Sequence, residues 1–166
     1  MKKTIFITAL VAILIIGCKK KTTTTTTTTP PPTTVNQQGT MAFTIGSGSP
    51  QNATQSSLSG SLLNNELNIY GATSSNIYAV NLFIPNSVGT STLNGGTTYA
   101  YFDSNVTNTT YKTNATYTGT VVVTQYDAAG KTVSGTYSFN ALQTSPGGAG
   151  TSTVSITNGS FTNVSF

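Results

Sequence analysis

The sequence predicts an all-β domain from Thr40 to Phe166: an antiparallel meander of about eight to ten strands, curled into a sandwich or an open barrel. Three observations carry that prediction. Apolar residues alternate with Ser, Thr and Asn at period two. Gly and Asn turn signals interrupt the alternation at hairpin spacing. No long stretch of the domain repeats its apolar residues at the 3.6 spacing of a helix.

The elements follow in order. "MAFTI" puts Met41, Phe43 and Ile45 on one face. "SLSGSLLNNELNIYG" reads as a hairpin turning at Asn64-Asn65, with Leu58 and Leu62 facing one way before the turn and Leu67 and Ile69 after it. "NIYAVNLFIPN" is a strand that stops at Pro85, whose ring nitrogen cannot donate to a ladder. It is apolar on both sides, Tyr78, Val80, Leu82 and Ile84 facing one way and Ile77, Ala79 and Phe83 the other. "TTYAYFDS" aligns Tyr99 with Tyr101, and "ATYTGTVVVTQYD" aligns Tyr117, Val121 and Val123. After the turn Asp127-Ala128-Ala129-Gly130, "KTVSGTYSFNAL" sets Val133, Tyr137, Phe139 and Ala141 opposite Ser134, Thr136, Ser138 and Asn140. "STVSITNGSFTNVSF" reads as two closing strands, Val154 and Ile156 on the first and Phe161 on the second, joined at Asn158-Gly159.

Upstream lies a different kind of sequence. Lys2 and Lys3 precede an apolar run from Ile5 to Ile16, shorter than the roughly 20 residues a spanning helix needs. A positive end followed by a short apolar segment is a signal peptide, here residues 1–17. The run ends Ile15-Ile16-Gly17-Cys18, at the only cysteine in the chain. One reading of that cysteine is a free thiol in an ordinary leader. The other starts from a resemblance: an aliphatic residue, a short spacer, a small residue and then cysteine resemble the lipobox of bacterial lipoproteins. That resemblance implies that Cys18 is diacylated, becomes the first residue after cleavage and is then N-acylated. The membrane is then a partner through the acyl chains, since stable anchoring takes more than one chain at about 0.8 kcal/mol per buried methylene. Residues 18–39 form the tether. Thr22 to Thr29 is a homopolymer and Pro30-Pro31-Pro32 favours an extended polyproline conformation, so the segment reaches up to roughly 60 Å as a semi-rigid spacer.

Charge narrows the function classes. The formal net charge is +4, but five of the seven lysines are Lys2, Lys3, Lys19, Lys20 and Lys21. From Thr40 on, Lys112 and Lys131 stand against Glu66, Asp103 and Asp127, one negative charge in excess. Nucleic-acid binding needs a basic face to displace counterions from phosphates, and the domain has none. The lysine triplet after Cys18 sits instead where it meets anionic headgroups, at about 1 kcal/mol per residue.

Catalysis lacks its usual groups. There is no histidine or arginine, and general acid–base work wants a histidine or carboxylates at controlled separation. Asp127 reads as a turn residue and Asp103 as a loop residue, and a serine nucleophile would have no histidine base. Asp103, Asn105 and Asn108 supply too little charge for a calcium site. The expectation is a non-enzyme with no cofactor and no metal.

A binding face is the sharper expectation. By strict alternation Tyr70, Phe83, Phe102 and Tyr126 share the side opposite the more apolar face of their strands, an aromatic strip framed by Asn, Thr and Ser. Such a strip suits sugar rings or a partner protein. Two alternatives stand beside it: a second sheet covering that side, and a barrel interior lined or filled by Tyr99, Tyr101, Tyr117, Tyr137 and Phe139.

Residues 117–141, "YTGTVVVTQYDAAGKTVSGTYSFNA", and 154–164, "VSITNGSFTNV", resemble the C-terminal half of a domain of unknown function found in small Bacteroidetes-type lipoproteins. The resemblance implies an exported β-domain and carries no activity. The expected protein is therefore lipid-anchored in the cell envelope, with a non-catalytic binding or structural role. The alternative is a glycan-binding module using the aromatic strip. The expected partners are the membrane and an envelope protein or glycan, with no nucleic acid. The outer membrane is the expected site. Surface export in such lipoproteins resembles a rule of acidic residues after the cysteine, so Lys19-Lys20-Lys21 favours the periplasmic face.

Overall fold

The structure, a computed structural model, describes residues 39–145 and 150–166. The leader, Cys18 and the tether up to residue 38 lie outside the described residues. The described part holds eleven strands: β1 (Thr40–Ile45), β2 (Pro50–Asn52), β3 (Ser59–Leu63), β4 (Glu66–Ala72), β5 (Tyr78–Pro85), β6 (Gly89–Leu93), β7 (Tyr99–Ser104), β8 (Thr109–Lys112), β9 (Gly119–Asp127), β10 (Thr132–Ser145) and β11 (Thr153–Ser165). All pair antiparallel in one sheet, in the order β2-β1-β11-β10-β8-β7-β5-β4-β3, with β6 and β9 branching from β10. Neighbours in sequence pair along β1-β2, β3-β4-β5, β7-β8 and β9-β10-β11. The departures are β6, which leaves the meander to pair with β9, and β1, which pairs with the last strand.

The branch explains the curl. β10 is 14 residues long, and one edge of it is shared: Thr132 to Phe139 pair with β9, and Leu142 to Ser145 pair with β8. One sheet thus divides into two wings, which wrap a common interior as a half-barrel. At the far end of one wing β3 comes back against β11, so close that a Cβ on Gly60 would fall 2.5 Å from the Ser165 carbonyl oxygen. Only a residue without a side chain allows that approach.

The turns take the form their residues favour. Asn64 and Asn65 both have positive φ (52° and 65°), the requirement of a two-residue hairpin between Leu63 and Glu66. Asp127 Oδ1 accepts hydrogen bonds from the Ala129 and Gly130 amides at 3.0 and 2.8 Å, which closes the β9–β10 hairpin.

Inside the curl lies one apolar core. Phe43, Phe161, Met41, Leu67, Ile69 and Leu82 are all essentially inaccessible. On β10 the predicted inward residues Val133, Tyr137, Phe139 and Ala141 are buried; of the predicted outward set Thr136, Ser138 and Asn140 are exposed, whereas Ser134 is buried, accepting the Asn163 amide. Tyr137 stacks on Phe139 and Phe161 and donates its hydroxyl to the Ala42 carbonyl at 3.3 Å. Together Tyr137 and Phe139 fill the interior of this wing.

Burial raises the Tyr137 phenol far above its ordinary value. Up to about pH 10 both folded and unfolded chains keep this proton, and its contribution to stability is complete. Above that pH the unfolded chain ionises first, and the residue then removes up to about 1.4 kcal/mol of stability per pH unit. Tyr137→Phe should flatten this alkaline slope relative to the parent chain in urea titrations between pH 9 and 11. At neutral pH it should cost about 0.5–1.5 kcal/mol for the lost hydrogen bond.

The partners of β10 are not regular. On β11 the inward residues change parity twice: Ile156, then Gly159 and Phe161, then Val164. A β-bulge accounts for each change, with Asn158 and Asn163 both at φ 50° and register shifts opposite them. The expected pair of closing strands is thus one strand of 13 residues, and Asn158-Gly159 is a bulge within it. Asn-Gly offers positive φ equally to a reversal and to a bulge, and the long uninterrupted β10 beside it decides for the bulge. At the second bulge the Asn163 amide donates to Ser134 Oγ at 2.9 Å. Asn163→Val places a β-branched residue in the left-handed region and should cost about 1–2 kcal/mol in chemical denaturation. Asn163→Gly should leave stability within about 0.5 kcal/mol of the parent.

A third bulge, at Thr124 on β9, moves a predicted site residue. Val121 and Val123 face inward, the register shifts, and Tyr126 then pairs with buried Val133. Strict alternation puts Tyr126 on the outer face; the extra residue turns it to the core side.

Candidate functional site

The outer face of β4, β5 and β7 gathers Tyr70, Phe83, Tyr99 and Tyr101, four of the nine half-buried aromatic side chains among the described residues. Register explains the grouping: Phe83 pairs with Tyr99, Asn81 with Tyr101 and Tyr70, and Tyr101 with Lys112. Phe83 and Tyr99 stack with ring centroids 4.4 Å apart and planes 17° apart. Tyr101 meets both edge-on, at 6.1 Å from Phe83 and 5.6 Å from Tyr99. Each such contact adds about 0.5–1.5 kcal/mol beyond burial. The Lys112 ammonium lies 4.4 Å from the Tyr99 centroid and 5.2 Å from that of Tyr101, drawn to the negative ring faces.

Two oxygens beside the cluster are buried and meet no donor among the described residues: Glu66 Oε1 and Asn81 Oδ1. Glu66 belongs to a cleft of about 240 Å³ at this end of the sheet, whose other walls include Asn64, Asn65, Pro85, Thr97 and Thr98. The Tyr99 phenol is held above its ordinary value, first by desolvation, then by the negative charge of Glu66 and by Tyr101. The face therefore presents aromatic surface and one cation, with two donor-less acceptors buried beside them.

The sequence-predicted strip divides. Tyr70 and Phe83 are on this face, each half-buried. Phe102 is not: it is 2 % exposed and packs against Phe43, Tyr78 and Tyr111. Its neighbours across the ladder are Val80 and Tyr111, and the same inward row holds Ala100 and Ser104, small enough for a crowded interior. Tyr126 stacks on Phe166 at 5.4 Å with planes 5° apart, against the core. Tyr99 and Tyr101, expected to share a face, do so on the outside. These two tyrosines and Lys112 are the members the strip lacks; the alternation in "YAYFD" marks both parities, and only the pairing with β5 shows which is outward.

The remaining ionisable groups are dispersed. Asp127 is committed to its turn, and among the described residues no three His, Cys, Asp or Glu side chains converge as metal ligands would. A second surface feature lies on the outer side of β9, β10 and β11. Two shallow depressions of about 360 and 590 Å³ adjoin there, sharing Thr120, Ser138 and Thr157. Their rims are mostly hydroxyls and amides.

These features define the class of the protein as an all-β domain on a single curled antiparallel sheet with an aromatic outer face on one wing. Residues 52–165 match a family described as Domain of unknown function (DUF6252), and the chain belongs to that family. The match runs from β2 to the end of β11, so it includes the aromatic strands as well as the C-terminal segments. No curated protein and no solved structure matches the chain.

Proposed function

We propose that this chain is a bacterial lipoprotein of Bacteroidetes type, anchored through Cys18 in the cell envelope, whose β-domain does non-catalytic binding or structural work. One observation carries the binding role: Phe83, Tyr99 and Tyr101 form a mutually contacting, half-buried cluster on the outer face of one wing, while the carboxylates of the described domain are scattered. The leader ending in Ile15-Ile16-Gly17-Cys18 supports the anchor, and Lys19-Lys20-Lys21 favours the periplasmic face of the outer membrane over the cell surface. Among the described residues no helix is long and apolar enough to cross a membrane.

Protease shaving of intact cells, with a lysed control, tests the location. The expected result is that the β-domain pellets with membranes, survives in intact cells and is lost after lysis. Loss from intact cells would place it on the surface, and recovery in the soluble cytoplasmic fraction would overturn the envelope reading.

A second reading, a glycan-binding module, is favoured by the Phe83–Tyr99–Tyr101 cluster. Tyrosine and phenylalanine give a sugar ring apolar area, and a tyrosine hydroxyl adds a polar tip. Phe102 and Tyr126 take no part in this version of the site.

A further inference from the structure

The stack has only one free face. Tyr99 lies between Phe83 on the β5 side and the Lys112 ammonium on the β8 side, each 4.4 Å from its ring centre, so both of its faces are covered. Phe83 is covered on the side of Tyr99 and faces β4 on the other. There its ladder neighbour is Asn68, a short, half-buried side chain. Glu66 lies two residues along β4 from Asn68, and Asn81 two residues along β5 from Phe83. Their donor-less oxygens, Glu66 Oε1 and Asn81 Oδ1, lie below the surface on either side of the Phe83 ring, and rotation of the two half-buried side chains brings them to a ligand seated there.

From this arrangement we infer that the site binds a pyranose ring, packed on the β4-facing side of Phe83 above Asn68, with its hydroxyls donating to Glu66 and Asn81. The inference rests on the glycan-binding reading and gives it a ligand class and an orientation. The two acceptors select the occupant. An apolar partner surface covering this face would leave both oxygens without donors, which is costly for a buried acceptor. A ligand dense in hydroxyl donors satisfies both while its C–H face meets the ring. A duplex or other polyanion would bring phosphate oxygens to Glu66 and Asn81, acceptor against acceptor.

The test uses the full chain in detergent, with methyl glycosides of glucose, galactose, mannose and N-acetylglucosamine and their soluble oligosaccharides as probes. Binding is read by saturation-transfer NMR and by tyrosine emission, which the absence of tryptophan leaves unobscured. The parent chain should bind at least one probe. Phe83→Ala and Glu66→Ala should each weaken that binding by about tenfold or more, and Val106→Ala, in the exposed loop between β7 and β8, should change it by less than about twofold. Melting temperatures of the three variants separate loss of the site from loss of the fold. Binding that survives both Phe83→Ala and Glu66→Ala would overturn this site while leaving a glycan reading, with the hydroxyl-lined depressions on β9–β11 as the surface to test. Failure of every probe to bind the parent chain would overturn the glycan reading itself.

Discussion

Phe102→Ala is expected to destabilise the domain by about 3–5 kcal/mol, the cost of emptying a well-packed aromatic site. The ring is 2 % exposed and lies at the centre of a cluster, 6.3 Å from Phe43, 5.9 Å from Tyr78 and 6.0 Å from Tyr111 between centroids. Its removal forfeits both the transfer of the ring out of water and the contacts of three aromatic neighbours, on strands too firmly paired to close the gap. Most single domains have only about 5–15 kcal/mol to lose. Urea unfolding followed by circular dichroism measures the change. Phe83→Ala, on the opposite face of the same pair of strands, is the control: it gives up a stack and part of a half-exposed ring, and should cost well under half as much. A Phe102→Ala loss within about 0.5 kcal/mol would put Phe102 on the surface, where strict alternation with Tyr70 and Phe83 places it.

That pair of variants also marks where the sequence is legible and where it is not. Period two and turn residues identify strands because both are local properties: the Asn64-Asn65 hairpin and the Asp127 turn occur as read. On β10 as far as Ala141, ahead of the extra residue at Thr144, every predicted inward residue is buried, and Ser134 is buried against the prediction. Facing fails wherever an extra residue enters the ladder. Nothing in "VVVTQYD" announces that Thr124 is unpaired, so Tyr126 is assigned to the wrong side. The parity change from Ile156 to Phe161 is visible in the sequence, but a turn and a bulge explain it equally until the length of β10 is known. The site was half legible for the same reason. Tyr70 and Phe83 follow from alternation, whereas Tyr99, Tyr101 and Lys112 join them through cross-strand register, which is a property of two strands together.

The branch at β10 gives the domain two dissimilar outer surfaces. β8 joins one half of its edge and continues into the aromatic wing; β9 joins the other and continues into a face of Thr, Ser and Asn. With so few charges in the domain, hydroxyl and amide side chains must carry its hydration. The uncharged second face suits that purpose without a ligand. The aromatic wing does not, because its buried acceptors meet no donor among the described residues. That contrast supports the proposal that recognition lies on β4, β5 and β7.

Cys18→Ala should have the largest effect on the protein in its cell. In the proposed lipoprotein the cysteine carries the acyl chains, and each buried methylene holds the chain to the bilayer by about 0.8 kcal/mol. One chain alone gives only marginal, reversible binding, and two or more make release negligible. The three following lysines add about 1 kcal/mol each at an anionic surface, a contribution that salt screens and that cannot hold the domain alone. The parent chain should therefore take up labelled fatty acid and stay with membranes in high salt, and its mature N-terminus should have the mass of lipid-modified Cys18. In Cys18→Ala the fatty-acid label should fall to background. Membrane pelleting alone would mislead, because a variant that keeps its leader keeps the apolar run from Ile5 to Ile16 and can still adhere. The label and the N-terminal mass separate the two cases. A parent chain without label, whose cysteine reacts with a maleimide, would instead establish the free thiol of an ordinary leader, and the domain would then have to be retained in the envelope by whatever its aromatic wing binds.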